Sequence, residues 1–206
     1  MSESSAELTL SDEVLAEAQQ HLVNIRDWIR FCVSCFRGCD VHLGHGSDDP
    51  FAEATALVMQ TLNLAWSADG EIIDARVLPS EAAAITETLK RRVNDRTPLA
   101  YLLNLSYFAN LPFYVDERVL VPRSPIAELI ESRFLPWLDH EPQRILDLCT
   151  GSGCIAIACA VEFPDALVDG TDISIDALSV AALNVEHHDL QERVGLIESD
   201  VFNKLP

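Results

Sequence analysis

The sequence predicts an α/β fold in which a helical domain precedes a β-hairpin and the first half of an open parallel sheet. Apolar residues recur at helical spacing from Val14 to Phe36, and again within residues 50–64 and 79–96. Two short runs rich in aromatic and β-branched residues then flank Asn110, as in a hairpin. The last third of the chain alternates short apolar runs with helical patterns, which is typical of a parallel sheet.

The first domain is predicted to span residues 1–104 and to consist of helices. The apolar spacing from Val14 to Phe36 predicts one long helix or two helices joined by a kink. Later helices are predicted from about Pro50 to Leu64 and from Pro79 to about Arg96. Residues that favour helix ends mark these segments. They are Ser11 before the first helix, Gly38 after it, Ser47 or Asp48 before the second, and Pro79-Ser80-Glu81 at the start of the third.

Lys90, Arg91 and Arg92 form the densest basic cluster of an acidic chain. They lie near the end of the helix that begins at Pro79, where a cation interacts favourably with the helix dipole by roughly 0.3–1 kcal/mol. We therefore interpret the cluster as a feature of the helix end rather than as a contact for RNA.

Residues 105–142 are predicted to form the hairpin and a linker helix. The hairpin covers Tyr107–Asp116, and two prolines stiffen the segment that follows it. Ser124 is placed to cap a helix from Pro125 to Leu138. Arg123 is a candidate binding residue for a cofactor carboxylate or for a substrate, although a structural salt bridge fits its position equally well.

The chain is organised around residues 144–158, which read as a strand, a glycine turn and a helix. The apolar residues Ile145, Leu146 and Leu148 predict a buried parallel strand. Gly151 and Gly153 then allow a sharp turn and the close approach of a ligand to the backbone. The N-terminus of the following helix points free N–H groups into the crevice at the carboxyl ends of the strands, where ligands bind in open α/β sheets.

Two cofactors fit this turn, and a purely structural turn is a third interpretation. Residues 151–156 match a dinucleotide-binding pattern, and Asp172 has the spacing of a ribose-binding acid, so a nicotinamide cofactor fits. S-adenosylmethionine is favoured by Asp147, which lies before the glycines where a carboxylate can hold the ammonium group of that cofactor, directly or through water. The unit also begins late in the chain, whereas many dehydrogenases of this fold begin with it.

Later acidic and aromatic residues complete the predicted cofactor site. Residues 166–172 form a second strand ending in Asp172, whose carboxylate can accept hydrogen bonds from both ribose hydroxyls. Residues 194–200 form a third strand. Asp200 and Phe202 follow at its carboxyl end, placed to bond an adenine amino group and to stack on the ring. The helix between these strands runs from Ser174 to His187, with Ala177, Leu178, Ala181 and Ala182 predicted to face inward.

Composition limits the classes of function. The chain has 206 residues, 49% of them apolar, and a formal charge of −19. An acidic surface is repelled by nucleic acid and suits a basic protein partner. The sequence has no apolar run of about 18 residues for a membrane span and no signal-peptide pattern at its start, so we expect a cytoplasmic protein without membrane contact.

The six cysteines are expected to be free thiols rather than a disulfide framework. Cys32, Cys35 and Cys39, with His42 and His45, have a spacing that would permit a zinc ion. Because the three cysteines fall on an amphipathic helical pattern, we interpret them as ordinary buried residues and predict no metal site.

Three stretches together resemble the bacterial protein-(glutamine-N5) methyltransferases, which act on glutamines of a ribosomal protein or of release factors. The stretches are Gly44-His-Gly-Ser-Asp48, Val115-Asp-Glu-Arg-Val-Leu-Val-Pro-Arg-Ser-Pro-Ile-Ala-Glu128 and Arg144-Ile-Leu-Asp-Leu-Cys-Thr-Gly-Ser-Gly-Cys-Ile-Ala-Ile-Ala158. The middle stretch is the most specific. Its Arg-Ser-Pro form, and Cys149 before Thr-Gly-Ser-Gly, favour the branch that methylates large-subunit ribosomal protein three.

This resemblance covers almost the whole chain after the first ten residues. It implies a Rossmann-like class I methyltransferase sheet whose first half occupies residues 143–206, with S-adenosylmethionine as the cofactor. The N-terminal helical domain would recognise a basic ribosomal protein as substrate. The residues implied to contact the cofactor are Cys149, Thr150, Gly151, Ser152, Gly153, Asp172 and Phe202.

The chain departs from the family in one respect, since the catalytic signature Asn-Pro-Pro-Tyr is absent from it. In the family that signature follows the fourth strand, which lies beside the first. Without that strand, residues 144–149 would form an unpaired edge with exposed apolar surface. We therefore expect a fragment that keeps much of the cofactor crevice without turnover, and we assign no catalytic residue. A release-factor glutamine methyltransferase and a non-catalytic binding module on a Rossmann-like scaffold are the alternatives.

Overall fold

The computed structural model describes residues 9–44, 48–64, 70, 72–203 and 205. The chain divides into two compact units, Met1–Leu103 and Asn104–Pro206. The predicted α/β fold class is confirmed, because the first unit is helical and the second combines a hairpin and helices with a parallel sheet.

Five α-helices lie in the described part of the first unit. They are α1 (Asp12–His21), α2 (Ile25–Gly38), α3 (Pro50–Thr61), α4 (Pro79–Asn94) and α5 (Leu99–Leu103). A 3₁₀ turn covers Ile72–Asp74. Ser11 caps α1, Gly38 is the last residue of α2 and Pro79 opens α4, as the sequence predicts.

The apolar periodicity from Val14 to Phe36 belongs to two separate helices, α1 and α2, rather than to one long helix. The side chain of Asn24 accepts a hydrogen bond from Asp27 N at 2.9 Å. The Asp27 carboxylate in turn accepts bonds from Asn24 N at 3.2 Å and Val23 N at 3.0 Å. This reciprocal capping box satisfies backbone donors at a new helix start, which explains why the chain breaks there.

The cap of α3 differs from the prediction. Asp49 caps the helix by accepting a hydrogen bond from Phe51 N at 3.0 Å, so Asp48 is not the cap, and Ser47 lies outside the described residues. Proline favours the first helical position, which makes the residue before Pro50 the natural cap. The helix also ends earlier than predicted, at Thr61, before Asn63 adopts a φ of 55°.

A buried ion pair joins α3 to α4 within the core of the first unit. Arg92 Nε donates to Glu53 Oε1 at 2.5 Å, and the two side chains are 4% and 8% exposed. Arg92 also donates to the His42 carbonyl at 2.8 Å. The surrounding core includes Trp28, Phe36, Leu57, Ile85 and Leu89, which are almost completely buried.

The basic cluster of α4 is therefore divided between the core and the surface. Arg92 points into the core, where its charge is paired with Glu53. Lys90 forms an exposed ion pair with Asp12 at 2.6 Å. The interpretation as a helix-end feature did not anticipate the burial of Arg92.

The second unit contains the predicted hairpin and a three-stranded parallel sheet. Its elements are β1 (Ser106–Phe108), β2 (Leu111–Phe113), α6 (Ile126–Glu131), β3 (Arg144–Leu148), α7 (Cys154–Glu162), β4 (Leu167–Asp172), α8 (Ile175–His187) and β5 (Val194–Glu198). The hairpin pairs Tyr107 with Pro112. The sheet has the order β3-β4-β5, with Leu146 opposite Asp169 and Asp169 opposite Gly195. Because the strands are parallel, their carboxyl ends meet at one edge, where ligands bind in such sheets.

The linker helix is much shorter than predicted. Ser124 accepts a hydrogen bond from Ile126 N at 3.2 Å. However, the helix begins at Ile126 rather than at Pro125, so Pro125 takes the N-cap position and Ser124 lies one residue before it. The helix α6 ends at Glu131, and Arg133 and Phe134 both adopt a φ of 54°. Pro136 lacks the N–H that a continued helix needs and would clash with the preceding turn, so the predicted extension to Leu138 is wrong.

The inward face of α8 is also partly different. Ala177 and Ala181 are buried as predicted, whereas Ala182 is exposed. Leu178 is half-buried, and Val180, Asn184 and Val185 complete the buried face. The third strand ends at Glu198, two residues before the predicted end.

The strand β3 lies at one edge of the sheet. Within the described ranges it pairs with β4 alone, and Leu146 on it is 41% exposed. This matches the edge strand with exposed apolar surface that the sequence predicts. None of the helices in the described part of the chain is long and apolar enough to cross a membrane.

Glu53→Ala should lower the free energy of unfolding by about 3–5 kcal/mol, because it leaves the Arg92 guanidinium buried without a counter-ion. Lys90→Ala is the control, since it removes an exposed ion pair from α4, the helix that carries Arg92, and should scarcely change stability. Urea unfolding of both variants measures the difference. Equal losses in the two variants would contradict the importance of the buried pair.

Candidate functional site

The turn between β3 and α7 requires left-handed backbone at three positions. Cys149, Gly151 and Gly153 have φ values of 59°, 55° and 79°. Glycine adopts this conformation without steric cost. A Cβ atom on Gly153 would also lie 3.2 Å from the Cβ atom of Ala181 on α8. Gly153 is therefore required both by the conformation of the turn and by the packing of α8 against it.

Asp172, at the end of β4, holds this turn from the neighbouring strand. Its two carboxylate oxygens accept hydrogen bonds from Gly151 N at 2.9 Å and from Ser174 N at 3.0 Å. Thr150 N donates to the Thr171 carbonyl at 2.8 Å, which extends the strand pairing into the turn. A carboxylate has about four acceptor positions, so Asp172 can hold the turn and still accept bonds from two ligand hydroxyls.

Asp147 lies beneath the turn, within β3. Its Oδ2 atom accepts hydrogen bonds from Thr150 Oγ1 at 2.6 Å and from Ala156 N at 3.2 Å. The second bond places a carboxylate at the N-terminus of α7, where the helix dipole favours negative charge. Burial raises the pKa of Asp147, while the two hydrogen bonds act in the opposite direction. Asp147 thus has an internal role in the turn beyond the ammonium contact that the sequence predicts.

Asn184 on α8 is a site residue that the sequence analysis missed. It is completely buried. Its Nδ2 atom donates to the carbonyls of Ser152 at 2.9 Å and Tyr114 at 3.0 Å, and its Oδ1 atom accepts from Tyr114 N at 2.7 Å. Asn184 therefore connects the glycine turn to the chain that leaves the hairpin. The available signal was a polar residue at a position where the spacing of α8 calls for an apolar one.

The chain after β5 places the two predicted adenine-binding residues near the carboxyl edge of the sheet. Ser199 N donates to the Asp172 carbonyl at 3.0 Å, which joins the end of β4 to the residue after β5. Asp200 is exposed immediately beyond it. Phe202 is 63% exposed, so its ring has a face on which a base can stack.

The segment that follows the hairpin carries a small polar cluster. Tyr114 Oη donates to Asp116 Oδ2 at 3.0 Å. The Arg118 guanidinium donates to both Asp116 oxygens, at 2.9 Å from Nε and 2.6 Å from its terminal nitrogen. These bonds from Arg118 lower the pKa of Asp116 to about 2. Arg123 lies further along this segment and is exposed, so its binding role stays a prediction.

The cysteines considered as zinc ligands lie on or just after α2. Cys32, Cys35 and Cys39 are buried, and His45 lies outside the described residues. Burial raises the pKa of Cys35 to about 12 and also raises the pKa of Cys32. In the residues that the structure describes, no group of three or more His, Cys, Asp or Glu side chains could hold a metal ion.

Residues 131–206 match the family model described as methyltransferase small domain. A protein of Bordetella pertussis named ribosomal protein uL3 glutamine methyltransferase is 46% identical to this chain over 190 residues, which is 91% of this chain and 64% of that protein. A protein of Neisseria gonorrhoeae with the same name is 42% identical over 191 residues, with 92% and 64% coverage. The resemblance seen in the sequence is confirmed, and the chain spans 64% of the length of these relatives.

Several solved structures are similar to this chain. One of them is coclaurine N-methyltransferase bound to N-methylheliamine and SAH, which is 14% identical, with 94% of this chain and 50% of that chain covered and a TM-score of 0.38.

Asp147→Asn should remove a pH dependence of stability that comes from the raised pKa of the buried carboxyl. The folded pKa lies above the unfolded value, so the stabilising contribution is present below about pH 4 and is lost as pH rises through the folded pKa. The free energy of unfolding of the unaltered chain, relative to this variant, should therefore fall with rising pH and then level off.

Asp116→Asn is the matched control, because the stabilising contribution of Asp116 should change with pH in the opposite direction. Its pKa is lowered to about 2, so its stabilising contribution is present above the unfolded pKa and is lost as pH falls towards about 2. Urea unfolding from about pH 2 to neutral pH measures the free energy of unfolding of both variants and of the unaltered chain. The account of Asp147 would be wrong if its variant showed the same sign as Asp116→Asn.

Proposed function

We propose that the protein carrying this chain uses S-adenosylmethionine to methylate the side-chain amide nitrogen of a glutamine in ribosomal protein uL3. The observation that supports this most directly is the turn between β3 and α7, with Asp172 bonded to Gly151 N at the carboxyl edge of the sheet. Two relatives match nine-tenths of the chain, and their name, uL3 glutamine methyltransferase, is the basis for the proposed reaction and substrate.

The cofactor would lie across the turn, with Asp172 accepting the two ribose hydroxyls. Asp172 is suited to this role because the turn and Ser174 N fix both of its oxygens. The backbone from Cys149 to Gly153 would line the amino-acid part of the cofactor. Asp147 would attract its ammonium group through the electrostatic field of the buried carboxylate.

The adenine would lie against the chain after β5. Phe202 offers an exposed ring for stacking, and Asp200 offers an exposed carboxylate to the adenine amino group. The stacking of a base on an aromatic ring contributes about 1–3 kcal/mol in other nucleotide-binding proteins. Arg123 would contact the cofactor carboxylate or the substrate, since it is an exposed cation in the segment of closest resemblance to the family.

This reaction depends more on the relative position of the two substrates than on acid–base catalysis. A glutamine amide nitrogen is a weak nucleophile because its lone pair is delocalised into the carbonyl, and the bound cofactor supplies a methyl group activated by a sulfonium. The protein must therefore align the nitrogen with the methyl carbon for in-line displacement. The residues described here would bind and orient the cofactor, and none of them is assigned a catalytic role.

The electrostatic character of the chain fits the proposed substrate. A formal charge of −19 attracts a basic ribosomal protein and repels bare RNA. We assign substrate recognition to the N-terminal helical domain, residues 1–104, and place the reaction in the cytoplasm, where ribosomal proteins are made. Methyl transfer to a release factor in place of uL3 would instead support the alternative, a release-factor glutamine methyltransferase.

Asp172→Asn should weaken the binding of S-adenosylhomocysteine about 10–100-fold, because hydrogen bonds to a charged group contribute about 1.5–3 kcal/mol. Asp176→Asn is the control, since Asp176 is an exposed acid in the first turn of α8. Isothermal titration calorimetry on the 206-residue chain measures both affinities. Unchanged affinity in Asp172→Asn, or displacement of the ligand by NAD, would contradict the cofactor assignment.

The reaction itself is tested by incubating the protein that carries this chain with labelled S-adenosylmethionine and purified uL3. We expect one methyl group on one glutamine of uL3, located by mass spectrometry of its peptides. A release factor and a uL3 variant lacking that glutamine are the controls. Labelling of the release factor alone would refute the choice of substrate, and labelling of neither protein would support the non-catalytic scaffold.

A further inference from the structure

We infer that Asn184 is a positioning residue that fixes the cofactor turn and couples it to the chain leaving the hairpin. The inference rests on the proposed function, because it concerns the same crevice. It adds a residue on α8, away from the glycine turn in sequence, on which cofactor affinity depends.

The hydrogen bonds of Asn184 are shared between two backbone segments. Both of its amide hydrogens are used, one on the Ser152 carbonyl and one on the Tyr114 carbonyl. Its carbonyl oxygen accepts from Tyr114 N. A primary amide has two donor hydrogens, so a completely buried Asn184 with these partners has no donor left unsatisfied. Replacing it would leave buried backbone groups without partners, which is costly.

The contact with Ser152 matters because of the residues on either side of it. Gly151 and Gly153 have left-handed backbone and no side chains to restrict their rotation. The direction of the Ser152 carbonyl sets the orientation of the peptide plane that joins Ser152 to Gly153. Asp172 holds the N–H of the peptide that enters Gly151, and Asn184 holds the carbonyl of the peptide that enters Gly153. Together they determine which way the turn presents its backbone.

The contact with Tyr114 makes the hairpin part of the same arrangement. Asn184 bonds both the N–H and the carbonyl of Tyr114, as a residue of a neighbouring antiparallel strand would. Tyr114 is in turn bonded through its hydroxyl to Asp116, which Arg118 holds. A displacement of this segment would therefore be transmitted through one side chain to the Ser152 carbonyl.

A second contact between α8 and the hairpin provides a comparison. His188 Nε2 lies 2.8 Å from the Pro112 carbonyl, which can only accept a hydrogen bond. His188 thus anchors the hairpin to the end of α8 through a hydrogen bond that does not involve the turn. Val185, next to Asn184, is buried in the same helix but has no polar side-chain atom.

The test compares Asn184→Ala with Val185→Ala and His188→Ala by calorimetry with S-adenosylhomocysteine and by thermal unfolding. We expect Asn184→Ala to weaken the affinity at least tenfold. Val185→Ala should lose comparable thermal stability and His188→Ala should lose its hairpin anchor, yet both should bind within twofold of the unaltered chain. Asn184→Asp, which keeps the shape and the acceptor for Tyr114 N but loses both donor hydrogens, should also bind at least tenfold more weakly.

Binding by Asn184→Ala or Asn184→Asp within twofold of the unaltered chain would overturn the inference. An equal loss of affinity in Val185→Ala would also overturn it, because general destabilisation of α8 would then explain the effect. If the unaltered chain binds no S-adenosylhomocysteine, the proposed function fails separately. Hydrogen exchange of peptides covering residues 147–157 then decides the role of Asn184, with faster exchange expected in Asn184→Ala than in Val185→Ala and equal rates refuting it.

Discussion

The turn from β3 into α7 is the constraint on which the second unit depends. The chain must leave a strand, reverse and begin a helix within five residues, and it does so with left-handed backbone at Cys149, Gly151 and Gly153. Such a turn is not stable on its own account, because glycine loses more conformational entropy on folding than other residues. Three buried or half-buried polar side chains hold it: Asp147 from below, Asp172 from β4 and Asn184 from α8.

This arrangement connects packing to function. Asp147, Asp172 and Asn184 bond the turn to the rest of the unit. The carboxyl ends of the parallel strands β3, β4 and β5 lie along the edge of the sheet where the turn is found. Asp172 has two roles, because it accepts a hydrogen bond from Gly151 N and retains acceptor positions for a ligand. A preorganised turn of this kind loses little entropy when it binds a cofactor, which favours affinity.

The sequence was sufficient where a local pattern decides the structure. Alternating strands and helices, the glycine turn, the hairpin around Asn110 and the cap at Ser11 all follow from residue type and spacing. It was insufficient where the partner is distant in the chain. The contacts of Asn184 with Ser152 and Tyr114 join residues 32 and 70 positions apart, and the pairing of Arg92 with Glu53 joins residues 39 positions apart. The length of α6 differs from the prediction for a local reason, because Arg133 and Phe134 leave the helical conformation with a φ of 54° and Pro136 cannot continue a helix.

The most direct test of the account is a crystal structure of the chain with S-adenosylhomocysteine. The account predicts electron density for the nucleoside over residues 149–153, with both ribose hydroxyls within hydrogen-bonding distance of the Asp172 carboxylate. Density at another place on the chain, or a ribose that makes no contact with Asp172, would contradict it.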